Sequence, residues 1–390
     1  MVKLSLEYRR KLLWYLYATV FVTSTTYGTV TFLLPVYAEG LGASYFQLGL
    51  MGAVGSIVYT VMTLLTGVLL DRYERVRLYL GFTIVGVGMI FSLSLADSVP
   101  EVIVMRGALG IVSGTFWVTA STVIADLSPP KELTQSVGRY NVAWIAGFVV
   151  GPFVGGFVSD AYGFLVLFMV LSAFNLLSVL IQFVKLTPLK LKNATRTAWG
   201  RFSAIRSILN AYITLIPYAI ILGIYMAILP GHMGAIGLSA SAIGLLLTMT
   251  NGVRGVGFLN SERWVRWGPQ RSLWLAGISM SVALFLVAFS GETLEFVLPL
   301  AVYGFAGGII TPVILDYIAH RTPKKALGTA MGLHECVYGV GMSVGPFVGG
   351  AIAEAFRPSI LYVLLAALAT FILPLSLSLK DRSQGSEIPK

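Results

Sequence analysis

The stretch Gly147-Phe-Val-Val-Gly-Pro-Phe-Val-Gly-Gly156 has a second copy in the same chain, Gly341-Met-Ser-Val-Gly-Pro-Phe-Val-Gly-Gly350. The two decapeptides differ only at their second and third positions. The register continues upstream without a gap: Gly114 falls on Gly308, Pro129 on Pro323 and Gly138 on Gly332, while Asp126 falls on His320. A register this long predicts two similar halves, with the glycine-proline runs in equivalent helices. Gly147, Gly151 and Gly155 recur every four residues, as do Gly341, Gly345 and Gly349, which opens one helix face to close approach. Pro152 and Pro346 each remove a backbone donor and kink the helix. The runs are expected to set helix packing and leak-tight closure within each half, away from substrate.

Composition fixes the medium. Of 390 residues, 56% are apolar and 11% charged, against about 25% charged in soluble domains. A soluble fold of this size could not hide so much apolar surface, so the chain is read as an integral membrane protein. Apolar runs long enough for a ~30 Å hydrocarbon core fall near 12–38, 45–70, 78–96, 100–126, 132–160, 163–186, 207–230, 240–259, 271–290, 294–318, 326–354 and 358–379. Strand alternation is absent, and in lipid the remaining choice is helix. The expected fold is an all-α membrane protein of twelve transmembrane helices in two pseudo-symmetric six-helix bundles. Its parts are 1–187, a basic linker 188–205, 206–379 and a polar tail 380–390. The linker, with Trp199 and Phe202 among its basic residues, reads as a segment attracted to anionic headgroups. The first apolar run follows Lys3, Arg9, Arg10 and Lys11 and is long enough to span, so it is not read as a cleavable signal.

Charge orients the spans. Nearly all of the 27 Lys and Arg fall at the termini and in the even-numbered connections. Arg72, Arg75 and Arg77 follow helix 2, and Arg254, Arg263, Arg266 and Arg271 are assigned to the connection after helix 8. The odd-numbered connections carry Glu39, Asp97, Glu101, Asp160, Glu292, Glu295 and Glu354, with Arg357 as their one base. Both termini are therefore expected in the cytoplasm of a multi-pass cell-membrane protein. This distribution also accounts for the net charge of +10 without a nucleic-acid partner. The single cysteine, Cys336, excludes an internal disulfide framework and a Cys-based metal cluster. No Walker-type loop, His-Glu-x-x-His motif or nucleophile–base pair occurs. The chain is read as no enzyme, with no cofactor and no metal.

The connection after helix 2 reads Asp71-Arg72-Tyr73-Glu74-Arg75-Val76-Arg77, with a degenerate echo, Glu262-Arg263-Trp264-Val265-Arg266-Trp267-Gly268. Asp71 sits where it can face the positive end of a neighbouring helix. Arg75 can pair with Asp126 at the end of helix 4. Asp71, Arg72, Arg75 and Asp126 are thus expected to form a cytoplasmic gate.

These residues, together with Arg106-Gly107 in helix 4 and Gly-x-x-x-Gly-Pro-x-x-Gly-Gly in helix 5, resemble the three signature motifs of the major facilitator superfamily. The helix-5 motif is similar to that of its twelve-helix drug:proton antiporter branch. The resemblance implies two six-helix bundles around a central cavity lined by helices 1, 4, 7 and 10, with alternating access. Glu74 departs from the pattern, which usually has glycine there. In the resembling family the arginine matching Arg106 takes part in proton coupling.

Arg106 lies within helix 4, where a guanidinium in hydrocarbon costs at least ~2.5–3.5 kcal/mol, so a polar interior is expected for it. Arg106, Gly110, Ser113 or Gly114, Trp117 and Ser121 share one face, expected to line the cavity. Glu335 is the deepest acid, and its repeat mate is Asn141. A buried acid without a fixed partner can carry a proton near neutrality, and the neighbouring His334 is a second candidate for the coupling. The triplet His334-Glu335-Cys336 is not read as a metal site, because consecutive helix residues point ~100° apart. Tyr27 in hydroxyl-rich helix 1, Trp117, Asn141, Tyr218 and Tyr225 are the expected substrate-cavity residues, with Pro217 and Pro230 as bend points.

The functional expectation is a proton-coupled secondary transporter, acting as a monomer, that exports amphiphilic organic compounds. Its expected partners are a small-molecule substrate, protons and the lipid bilayer. Two alternatives stay open at this point: a small organic anion or nutrient carrier with Arg106 as anchor, and a non-transporting or lipid-handling membrane protein on the same fold.

Overall fold

A chain in lipid must satisfy its own backbone donors and acceptors, and the described residues do so with helices. The computed structural model describes residues 5–129, 132–187, 208–323 and 326–379, and among them there is no strand. The expected linker 188–205 and tail 380–390, with Lys131, Lys324 and Lys325, lie outside the described residues.

In the first half, α1 spans Leu6–Gly40, α2 Tyr45–Arg72, α3 Arg75–Ser92, α4 Val99–Leu127 and α5 Leu133–Ile181. In the second, α6 spans Leu209–Ala227, α7 Leu229–Ala235, α8 Ala240–Leu259, α9 Ser261–Trp267, α10 Pro269–Val287, α11 Thr293–Arg321, α12 Leu327–Ala355, α13 Pro358–Thr370 and α14 Ile372–Ser376. Helix starts carry recognisable chemistry. Ser5 accepts the Tyr8 amide, Glu292 and Glu295 form a capping box, and Pro269 and Pro358 open their helices.

Eleven helical segments among the described residues are long and apolar enough to cross a membrane. One of them counts twice. A straight 49-residue α5 would extend ~74 Å at 1.5 Å per residue. Gly163 breaks it with φ 82°, ψ 163°, a backbone that side-chain-bearing residues rarely adopt. Gly147 packs against Ser24 of α1, while Asn175 and Ser178 hydrogen-bond Thr23 at 3.0 Å each. Residues so far apart in α5 reach adjacent positions of α1 only if the chain doubles back at Gly163. The twelve expected crossings follow. The span expected over 207–230 is divided at Ile228, near the predicted bend at Pro230, and α7 follows it.

The helices form two compact units: Met1–Gly42, Val54–Arg196 and Ser239–Thr248 in the first, and Ala43–Ala53, Thr197–Leu238 and Met249–Lys390 in the second. The opening turns of α2 pack in the second unit and those of α8 in the first, because the glycine runs described below are complementary to them.

Inside the first unit α1 is held by polar contacts. Thr19 pairs with Tyr79 at 2.9 Å, and Gln182 donates to Thr83 at 3.1 Å and Ser178 at 3.0 Å. Thr25, Thr26 and Thr29 return their hydroxyls to carbonyls one turn back. The hydroxyls of Thr19, Thr23, Thr25, Thr26 and Thr29 are therefore buried structural groups.

Candidate functional site

The two glycine runs use the same device. A Cβ on Gly147, Gly151 or Gly155 would meet Ser24, Thr25, Thr29 or Leu33 of α1. A Cβ on Gly341, Gly345 or Gly349 would meet Ala219, Ile220 or Ile224 of α6. Each run also has a second contact that the sequence reading missed. The Pro152 carbonyl lies against Gly244 and Gly156 against Ala240, both in α8. The Pro346 carbonyl lies against Gly49 and Gly350 against Tyr45, both in α2. Packing within a sequence half is thus only part of what the runs do. Each run seats a helix from its own half and the start of one from the other.

Beside these contacts sit two acids of the repeat. Asp160 accepts the Ala240 and Ser241 amides at 3.0 and 2.8 Å, and Glu354 accepts the Phe46 amide at 3.3 Å. Each carboxylate meets the positive start of the helix its glycine run receives. Composition alone had marked them only as non-basic ends.

At the basic end Arg75 ion-pairs with Asp126, as expected. Arg75 is buried, and Asp126 keeps about a quarter of its side-chain surface exposed. Asp71 and Arg72 are exposed in the last turn of α2. The departure at Glu74 has a local cause: its carboxylate caps α3, accepting the Val76 and Arg77 amides at 3.2 and 3.1 Å. A second basic-end contact was not foreseen. Arg10 grips Glu132 at 2.5 and 3.2 Å and holds that carboxyl below the usual carboxylate range.

Arg106 is half-buried and lies on Gly55 of α2, where a Cβ would come within 2.7 Å of its guanidinium carbon. It has no ion pair among the described residues. Within the face expected to line a cavity, Gly110 and Gly114 pack on the α2 backbone at Gly55 and Tyr59. Trp117 sits at edge-on distances of 6.3 Å from Tyr27 and 6.4 Å from Trp144, with Phe148 6.3 Å away. Tyr27 is buried inside the unit and packs on Phe116 at 6.0 Å. Asn141 is exposed near the start of α5.

Glu335 corrects the expectation of a deeply buried acid without a partner. Its side chain is 55% exposed, and its Oε1 lies 3.1 Å from Nδ1 of His334, which is buried. Adjacent residues of one helix thus meet through flexible side-chain ends. No group of three His, Cys, Asp or Glu fit to hold a metal occurs among the described residues.

The largest omission of the sequence reading is Arg254. Assigned by composition to a connection, it lies inside α8. Around it stand Tyr218 and Tyr225 of α6, Tyr303 of α11 and Tyr338 of α12, all within electrostatic range. Tyr225 and Tyr303 stack at 4.6 Å, Tyr218 and Tyr338 meet edge-on at 6.0 Å, and Tyr338 hydrogen-bonds Thr311 at 3.1 Å. The predicted pair Tyr218 and Tyr225 is therefore brought together, around a cation that span lengths alone should have flagged.

Comparison with known proteins agrees with this architecture. The chain is 25% identical over 361 residues to the multi-drug resistance efflux pump PmrA of Streptococcus pneumoniae, covering 86% of this chain and 88% of that one. It is 22% identical over 371 residues to the multidrug resistance protein MdtG of Salmonella choleraesuis, covering 90% and 91%. Among solved structures, the nucleoside transporter NupG superposes with a TM-score of 0.77 at 14% identity, over 94% of this chain and 98% of that one, a likeness of fold. The sequence model of the Major Facilitator Superfamily matches residues 16–222 and 211–390. With twelve crossings, a doubled glycine-proline run and that match over both halves, the chain belongs to the Major Facilitator Superfamily of transporters.

Proposed function

We propose that this chain is a proton-coupled secondary exporter of amphiphilic organic compounds, working by alternating access as a monomer in the cell membrane with both termini cytoplasmic. The observation that carries the coupling is the contact between His334 and Glu335 within the α12 span. A carboxylate against an imidazole holds an exchangeable proton, and the exposed face of Glu335 gives that proton a route out. Taking up or losing it changes the charge at that depth by one, which biases two states of a carrier that solvate the pair differently. The export direction draws on the efflux pumps among the relatives. The aromatic wall of Tyr27, Trp117, Trp144 and Phe148 suits flat apolar substrates. Arg75–Asp126 acts as the cytoplasmic gate, with Asp71 and Arg72 beside it.

The test is movement of an aromatic dye panel in proteoliposomes under an imposed pH gradient. Gradient-driven movement lost in Glu335→Gln is expected. Movement that ignores the gradient, or coupling unchanged in Glu335→Gln, overturns the proposal. A second reading, transport of a small organic anion anchored by Arg106, is favoured by the lack of an ion pair on that guanidinium among the described residues. Counterflow of an anionic metabolite that disappears in Arg106→Ala supports it.

A further inference from the structure

Arg254 sits five residues before the end of α8, in a helix long and apolar enough to span. No carboxylate lies within salt-bridge distance of it among the described residues. Its Nε is fully buried and donates to no atom, while the residue as a whole keeps partial exposure. A buried donor left unmade carries its full desolvation cost, and a cation at this depth adds to it.

Packing does not require the charge. Gly308 of α11 lies on the Arg254 backbone as Gly114 of α4 lies on the Tyr59 backbone, so the repeat does the same job with a neutral residue. The surroundings supply what a planar anion with an aromatic body needs. The guanidinium offers a fork of donors that matches a carboxylate. The buried Tyr303 hydroxyl has no hydrogen-bond partner and is a further donor. The half-buried ring of Phe258, 5.3 Å from the guanidinium carbon, offers aromatic surface near the buried Tyr225–Tyr303 stack. Gly307 keeps the wall beside Arg254 and Tyr218 free of a side chain: a Cβ there would come 3.0 Å from the Tyr218 hydroxyl.

We propose that Arg254 and the tyrosines around it form an anion subsite that takes the carboxylate of an amphiphilic aromatic substrate. This rests on the transport reading above in treating the ligand as the transported solute.

The test uses purified full-length protein and two probes of nearly equal shape, 4-(1-pyrenyl)butanoate and its neutral amide. Binding is followed by pyrene fluorescence. Wild type is expected to bind the carboxylate about tenfold tighter or more, the effect of one charge-assisted hydrogen bond in a dry site. Arg254→Gln removes that preference, and Arg254→Lys, which keeps charge without the fork, reduces it. Arg263→Gln, an exposed base nine residues on, retains it. If Arg254→Gln does not fold, Tyr303→Phe tests the same subsite and is expected to lower the preference. Displacement of the pyrenyl acid by benzoate but not benzamide checks it on wild type alone. No carboxylate preference in wild type, or full preference in folded Arg254→Gln, overturns the proposal. Gradient-driven movement of the neutral amide in proteoliposomes is scored separately. Movement of the amide without carboxylate preference overturns the subsite alone, and carboxylate preference with no movement of either probe overturns the transport reading alone.

Discussion

The pairs α2–α4 and α8–α11 are built on one spacing and carry opposite decorations. In the first, Gly110 and Gly114 of α4 lie on the backbone of α2 at Gly55 and Tyr59. In the second, Gly304 and Gly308 of α11 lie on the backbone of α8 at Thr250 and Arg254. The close approach is conserved between the repeats while the cation changes helix. Arg106 belongs to the glycine-bearing α4, and its repeat position in α11 is Leu300. Arg254 belongs to the receiving α8, and the residue that takes its place under the matching glycine of the first pair is Tyr59 of α2. Packing geometry and charge placement are therefore separable in this fold: small residues fix how near two helices come, and the side chains beside them are free to diverge between units.

The comparison is broken most directly by filling the close approaches. Gly110→Val and Gly304→Val should both lower thermal stability by about 1–3 kcal/mol or more, since added volume in a tight contact forces the backbone apart. The measurement is folded yield and melting of detergent-purified protein, and a large effect in one unit with none in the other would end the equivalence of the two pairs. The next effect in size concerns charge. Arg106→Gln should lower gradient-driven transport by about tenfold or more, as for loss of a charge-assisted contact, whereas Arg106→Lys should keep part of it. Equal transport by both variants would mean that Arg106 acts only as a packing group.

The acid caps sharpen the comparison further. Asp160 holds two amides and Glu354 one longer bond. Asp160→Ala should thus destabilise by about 0.5–2 kcal/mol, as for loss of a helix cap, and Glu354→Ala by less; the reverse order in melting temperature would refute the pairing. The smallest effect is expected at Glu132. Arg10 lowers its carboxyl pKa in the folded protein, so its contribution is present above the ordinary carboxylate value and disappears as pH falls through the folded one. The pair is solvent-facing and screened. Glu132→Gln should leave melting at neutral pH almost unchanged, and a clear drop there would show a role beyond the surface pair.

Much of this was legible in the sequence because it is periodic or compositional. The repeat gave the two glycine runs, the apolar lengths gave twelve crossings, and Asp126 at a helix end within reach of Arg75 gave the basic-end ion pair. What escaped depends on helix rotation and on partners far away in the chain. Nothing in α12 fixes the angle at which Glu335 emerges, so its exposure and its contact with His334 needed coordinates. That Thr19 and Thr23 of hydroxyl-rich α1 bond to Tyr79 of α3 and to Asn175 and Ser178 of α5 could not be read from α1 itself. Arg254 escaped for a different reason: counting bases by connection absorbed a residue that span length alone would have left inside α8.

The seating of each glycine run against the start of a helix from the other half also has a schedule. The contacts of Gly156 with Ala240 and of Pro346 with Gly49 are alike in space, but not in the time at which their members are synthesised. At ~5–20 residues per second, the α5 run waits for about 80 residues of chain, or roughly 4–16 seconds, before its α8 partner exists. The opening turns of α2 wait for about 300 residues, or roughly 15–60 seconds, for theirs. Through most of synthesis the α2 segment must therefore rest against lipid or the insertion machinery, and only the last helices to emerge release it.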